Sequence, residues 1–184
     1  KRMSSGACVE RIEQPSIQKV ILDAGPIIHL DEIECLSLIS DFKELLVPEA
    51  VWNEVQIHRS GALQNKTIPL KKVSLETYSD AQLLMLCNAF GLDEGEEQAI
   101  LLSFQYQHAA ILLSDDAAAR LAAKATGIRA YGTIGILLRS IRRKQFTPVR
   151  VIKLLEEIPL KSTLYIKHAL LQNIIEEVKK EYGL

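Results

Sequence analysis

The sequence predicts an α/β domain built on a mostly parallel sheet, and three observations carry that reading. Short apolar runs near residues 18–22, 45–48, 67–75, 110–113 and 128–131 alternate with stretches of helical periodicity. Turn and cap residues separate them, as in Asp23-Ala24-Gly25-Pro26 and Gly132-Thr133. A length of 184 residues, 48% hydrophobic and 24% charged, suits one compact soluble domain and leaves little room for two.

Residues 1–17 are polar and without periodicity, so they read as a flexible arm. Gln18 to Leu22 is an apolar strand, and Pro26 stands where a helix begins. Ile27, Ile28 and Leu30, then Leu36, Leu38 and Ile39, suggest two short helices. Leu45 to Pro48 is a second strand, followed by a helix over Glu49 to Ile57 with Val51 and Val55 on one face. A polar loop covers Gly61 to Lys66, and Thr67 to Leu75 is a weaker strand. Helices over Ser79 to Asn88 and Glu94 to Gln107 are joined by Gly91-Leu92-Asp93, a C-cap followed by a new start. Ala110 to Leu113 is a strand, Asp115 to Ala125 an alanine-rich helix, and Ile128 to Tyr131 the last strand. A helix opens at Gly132-Thr133. From Pro148 the chain is helical, with Pro159 expected to split it. In the second part Leu164, Leu171, Ile175 and Val178 form an apolar stripe. The organisation is therefore an arm (1–17), a main domain (18–147) and a helical extension packed on it (148–184).

Composition excludes several classes. No apolar run approaches the ~18 residues of a membrane span, and the polar start lacks the apolar core of a signal peptide. Cys8, Cys35 and Cys87 form no CxxC pair and read as thiols of a reducing cytoplasm. His29, His58, His108 and His168 show no metal-ligand spacing and read as surface or half-buried residues. Aromatic residues are 5% of the chain, which argues against base stacking as the main binding mode.

Charge is uneven. Residues 1–116 hold 9 basic and 18 acidic residues, whereas 117–155 hold 9 basic and none acidic. Such a stretch suits a polyanion, or else balances the acidic half of the same chain.

The acids fall where an α/β sheet binds ligands, beyond the C-terminal ends of its strands. Asp23 follows the first strand, and Asp115 and Asp116 follow the Ala110–Leu113 strand. Glu54 lies on the helix after the second strand, and Glu94, Glu96 and Glu97 crowd a helix start. Singly, each acid has an ordinary explanation as a helix cap, a dipole partner or a solvated residue. Together, two carboxylates 4 Å apart repel by ~1 kcal/mol in water and ~4 kcal/mol near a protein surface. A convergent set therefore points to a hard divalent cation among them.

Val20-Ile21-Leu22-Asp23-Ala24-Gly25-Pro26, Val47-Pro48-Glu49-Ala50-Val51-Trp52-Asn53-Glu54, Gly95-Glu96-Glu97-Gln98-Ala99-Ile100 and Leu112-Leu113-Ser114-Asp115-Asp116, in that order, resemble the motifs of the PIN-domain family of metal-dependent ribonucleases. The later run from Gly127 through Gly132-Thr133-Ile134-Gly135 resembles a VapC-like branch of that family. The resemblance covers about Lys19 to Arg143. It implies a PIN-like three-layer sandwich, with a central sheet flanked by helices and C-terminal helices added. It also implies Mg2+ or Mn2+ at an acidic site and hydrolysis of RNA phosphodiester bonds. Many relatives are toxins of toxin–antitoxin pairs and many are homodimers, so a second copy of the chain and an antitoxin are the partners it suggests beside RNA.

On this reading Asp23, Glu54, Glu96 and Asp116 are the catalytic acids, and Asp23, Glu96 and Asp116 or Asp115 hold metal. Toxin-like relatives usually carry Asp at the third position. Glu96 matches the branch's Gly-Glu pattern better than Glu97 does. Thr133 and the amides after Gly132 could hold a phosphate, or form an ordinary helix cap. Arg139, Arg142, Arg143 and Lys144 would follow the RNA backbone. The rivals are a PIN-like module that binds RNA or protein without cutting, and a magnesium-dependent phospho-receiver. The receiver would need a Lys after a late strand, where Tyr131-Gly132-Thr133 has none.

Overall fold

The computed structural model describes residues 19–75, 80–106 and 109–184. The arm at 1–17, Cys8 and His108 lie outside the described residues, as do Gln18, Ser79 and Gln107, each the end of an expected element. Strands β1 (Lys19–Leu22), β2 (Glu44–Pro48), β3 (Leu70–Val73), β4 (Ala110–Leu113) and β5 (Ala130–Tyr131) form one sheet in the order β3-β2-β1-β4-β5. Every pairing is parallel, with Val20 opposite Leu45 and Ile111. The central strands are continuous apolar runs because helices cover both faces.

Side-chain alternation divides the core in two. Val20, Leu22, Leu45, Val47, Ile111 and Leu113 face one layer, made of α1 (Ala24–Glu32), α2 (Glu49–Leu63), α6 (Thr133–Arg142), α7 (Pro148–Lys161) and α8 (His168–Tyr182). Ile21, Leu46, Ala110 and Leu112 face the other, made of α3 (Ala81–Phe90), α4 (Glu94–Tyr106) and α5 (Ala117–Ala125). Leu171, Ile175 and Val178 of α8 are buried in the first layer with the strands. No helix among the described residues is long and apolar enough to cross a membrane.

The strand order places β1 at a switch point. The chain builds outward from β1 to β2 and β3, then crosses to β4 and β5 on the other side. The ends of β1 and β4 therefore flank the crevice where such sheets bind ligands. The backbone stays paired to the edge, since Asp23 N donates to Leu113 O at 2.9 Å.

Several boundaries differ from the sequence reading. Helix α2 runs past Ile57 to Leu63, through a kink at Arg59 (φ −152°, ψ 56°). Buried Ala62 and the Arg59–Asp31 pair (2.6 Å) hold the extra turn that was expected to be loop. Leu36–Ile39 is a single 3-10 turn. The last strand keeps only Ala130 and Tyr131, and α5 begins at Ala117 with Asp116 as its cap. Pro159 does not split the last segment, because α7 continues through it to Lys161. Pro159 lies in the last turn, where the chain sacrifices a single helical hydrogen bond, and the break comes at extended Ser162 (φ −126°, ψ 149°). Leu164 accordingly sits in the link before α8, half-buried against the core, not on α8 itself.

Candidate active site

A cleft of about 930 Å³ opens at the C-terminal edge of the sheet. Asp23, Glu54, Asp93, Glu96, Asp115 and Asp116 all line it. Asp23 comes from the end of β1, Asp115 and Asp116 from the end of β4, Asp93 and Glu96 from the start of α4, and Glu54 from the second turn of α2.

Asp23 ends β1 and caps α1, accepting from Ala24 N at 2.8 Å. Ser114 Oγ, at the end of β4, donates to its other oxygen at 2.7 Å. Burial pushes the Asp23 carboxyl up to about 6, against those two hydrogen bonds, and the charges of Glu54 and Asp93 add to the rise. Asp93 and Glu96 form a capping box on α4. Glu96 N donates to Asp93 Oδ1 (2.9 Å), and Asp93 N donates to Glu96 Oε2 (3.0 Å). The Glu96 carboxyl is raised to about 7 by burial, with the charges of Asp93, Asp116 and Asp23 contributing against the Asp93 N–H bond. Burial and then Asp93 raise Glu54 as well. Asp116 caps α5, accepting from Ala119 N at 2.8 Å, while its own N–H donates to Ser114 Oγ at 3.1 Å. Ser114 thus ties the β1 acid to the β4 acid.

Asp115 points elsewhere. Its Oδ1 accepts from Thr133 N (2.7 Å) and its Oδ2 from Thr133 Oγ1 (2.6 Å), and His29 Nδ1 lies 2.8 Å from the same Oδ2. Burial alone would raise this carboxyl, but the bonds from His29 and Thr133 outweigh it and hold its pKa below the usual value. Gly132 leaves room for the contact. A Cβ there would stand 2.5 Å from Asp115 Oδ1, although the Gly132 backbone (φ −108°, ψ −178°) is one that any residue adopts. Arg120 Nη1 donates to Ser114 O (3.2 Å) and Asp115 O (2.9 Å) and so braces the same turn.

The structure thus brings Asp23, Glu54, Glu96 and Asp116 to one cleft. Glu97 does not line it; its charge raises the Cys87 thiol beside α4, after the larger effect of that thiol's burial. Of the two readings of Thr133, a phosphate holder or a helix-cap group, the hydrogen bonds favour the second, because Asp115 accepts from both its amide and its hydroxyl. The arginines are also elsewhere. Arg139 grips Asp41 with two bonds (3.0 and 2.8 Å), and Arg143 adds a third at 3.2 Å. Asp41 precedes β2, so this cluster lies at the opposite edge of the sheet from the acids. It is also about 10–15 Å along α6 from Thr133. Arg142 lines a shallow groove with Glu177 and Glu181 of α8, and Lys144 follows α6 with φ 58°. The acid-free stretch therefore supplies internal ion pairs at Arg139 and Arg143, which is the other reading its charge allowed.

Sequence reasoning missed Asp93 and His29 as parts of the site, and it quoted Ser114 within its motif without giving it a role. The Asp93-x-x-Glu96 spacing was a legible capping-box signal. His29 carried no such signal, since its partner is 86 residues away.

Among the described residues, no three His, Cys, Asp or Glu side chains form a ready-made metal cage. The donor chemistry nevertheless suits a hard cation. The acids supply only carboxylate oxygens, and Asp23, Glu54 and Glu96 are raised chiefly by burial, with neighbouring carboxylates adding to the rise, so a cation among them would offset both effects.

No curated protein and no solved structure matches the chain. A family model described as a PIN domain matches residues 19–180, from the first residue of β1 nearly to the end of α8. The acids at the switch point and a match over most of the sequence agree, and the chain belongs to the PIN-domain family.

Proposed function

We propose that this chain is a ribonuclease that hydrolyses RNA phosphodiester bonds with a divalent cation held by Asp23, Glu96 and Asp116, with Glu54 and Asp93 at the rim. PIN domains are typically nucleases that act on nucleic acids and use divalent metal ions. The observation that carries the reading is the gathering of these carboxyls in one cleft at the β1–β4 crevice. Magnesium or manganese, when bound, lowers the pKa of a coordinated water and neutralises charge on the phosphate.

The chain's own residues have distinct tasks. Ser114 fixes the Asp23 carboxyl by donating to it and holds the Asp116 backbone. Asp115 serves as a clamp and not as a ligand, since His29 and Thr133 already engage its carboxylate. Asp93 holds the first turn of α4 and with it Glu96.

The Gly132-Thr133 motif supports placement in the VapC-like branch. With that branch come a toxin role in the cytoplasm, an antitoxin partner and a homodimer. One observation favours a second reading, a non-catalytic module that binds RNA or protein: Asp23, Glu96 and Asp116 each already serve as helix-cap groups.

Metal-dependent cleavage of labelled RNA by the purified chain separates the two. The Asp23→Asn variant should lose Mg2+- or Mn2+-dependent cleavage while keeping its melting temperature. It removes a buried anion and retains a side chain that can accept from Ala24 N. A variant that cleaves like the parent would remove Asp23 from the mechanism.

A further inference from the structure

We propose that Tyr131 and Tyr165 are base-stacking platforms on two walls of the acid cleft, which makes its substrate a single RNA strand with unpaired bases beside the phosphate to be cut. The proposal rests on the nuclease reading above.

Both tyrosines line the cleft that holds the acids, and both are exposed, Tyr131 by 45% and Tyr165 by 83%. Neither position is loose. Tyr131 ends β5, where its carbonyl accepts from Ser114 N at 2.9 Å. Its side chain lies beside α6 at Gly135, where an added Cβ would stand in ordinary contact, 3.5 Å from Tyr131 Cβ and 3.8 Å from Cδ1. Tyr165 lies in the link between α7 and α8. Leu164 and Ile166 pack against the core on either side of it, so the extended link turns Tyr165 and Lys167 outward. Glu32 anchors the link, accepting from Ser162 Oγ and Thr163 N, each at 2.7 Å. Each ring thus sits on an anchored backbone, which lowers the entropy lost when a base stacks on it.

The chemistry around the rings suits a nucleotide better than an apolar peptide. Arg120 and Lys167 are the cations of the lining, and the floor is carboxylate. Arg120 already braces the β4 turn, and an apolar peptide would offer the Lys167 ammonium nothing that a phosphate does. A strand that brings its phosphate to a floor-bound cation would lay its flanking bases against the walls. A duplex keeps its base faces stacked inside and could not offer them. A cleft of about 930 Å³ has the size of a small-molecule site, which a few splayed nucleotides can fill.

The test uses the full chain carrying Asp23→Asn, so that binding is read without cleavage. Anisotropy measures Kd for a short labelled RNA strand, for the same strand with abasic sites, and for its blunt duplex. Tyr131→Ala and Tyr165→Ala should each weaken the base-containing strand by about 5–10-fold and leave the abasic strand unchanged. Tyr→Phe at either position should retain affinity, because the ring and not the hydroxyl does the stacking. Lys167→Ala should weaken both strands and flatten the slope of log affinity against log salt by ~0.7. Equal losses on intact and abasic strands would overturn the proposal. So would no loss in either Ala variant, tighter binding of the duplex, or a wall that binds a protein and no RNA. If tyrosine-dependent binding is found but the parent chain never cleaves with Mg2+ or Mn2+, stacking stands and the nuclease reading fails. If the parent cleaves but both Ala variants cleave and bind as well as it does, the nuclease reading stands and stacking fails.

Discussion

Gly132→Ala is a one-carbon change whose sign the structure decides. The backbone at 132 (φ −108°, ψ −178°) accepts alanine, so loss of chain entropy in the unfolded state would stabilise by about 0.4–1 kcal/mol if there were space. There is none. The new Cβ would meet Asp115 Oδ1 at 2.5 Å, so the carboxylate must move by about 1 Å to reach ordinary contact. That oxygen accepts from Thr133 N, the first amide of α6, and Thr133 is buried. Gly132 supplies no side-chain cap, so the amide has no substitute partner there. Leaving a buried donor unsatisfied costs about 1–3 kcal/mol, and moving an anion from a helix N-terminus adds to that. The net loss is about 2 kcal/mol, which for a chain of this size lowers the melting temperature by about 4–8 °C. Urea and thermal melts measure it, and the decisive comparison repeats the change in an Asp115→Ala background. There the nearest remaining neighbours are Arg120 Nη1 at 3.3 Å, the end of a flexible side chain, and Ser114 O at 3.5 Å. Gly132→Ala should then be neutral or slightly stabilising. An equal loss in both backgrounds, or none in the parent, would refute the clamp.

Glu32→Ala should lower stability by about 1 kcal/mol at neutral pH through the lost bonds to Ser162 and Thr163. Burial would raise the Glu32 carboxyl, but those bonds win and hold it below its ordinary 4.5. The contribution is therefore full above the unfolded value and is lost as pH falls through the folded one, so the variant and parent melts should converge in acid. Lys144→Gly relieves a left-handed residue (φ 58°) after α6 and should stabilise by about 1 kcal/mol, seen as a higher urea midpoint at unchanged slope. Arg139→Ala should cost about 1–2 kcal/mol, because Arg139 pairs with Asp41 through two bonds and lies 4.1 Å over the Phe42 ring. Its RNA affinity should stay near that of the parent, and a large affinity loss in a fully folded variant would restore this helix end as a binding surface.

What sequence alone determined is what short-range physics encodes. Apolar runs such as Val20–Leu22 and Ala110–Leu113 need no partner to declare themselves, because continuous apolarity over a strand's length marks a doubly covered sheet. A polar residue ending such a run must sit at the sheet's edge. That is why Asp23 and the Asp115-Asp116 pair could be assigned to one side before any contact was known, with Glu96 added as an acid at a helix start. The rest depends on which distant segments meet. His29 and Asp115 touch across 86 residues, and only the β1–β4 neighbourhood brings them together. Asp115 and Asp116 are indistinguishable as adjacent letters, yet successive residues leave a strand end in different directions, one into a clamp and the other over the cleft. The same holds for the arginines. Their spacing put Arg139 and Arg143 on one face of a helix, but the ten-residue length of α6 carries that face to the far edge of the sheet and onto Asp41. Pro159 showed the same limit in reverse: its ring weakens a helix locally, but buried Val151, Leu155 and Ile158 hold α7 in place through the last turn. Composition counted few aromatic residues, and only the packing of Leu164 and Ile166 on either side of Tyr165 decided that one of them lines the acid cleft.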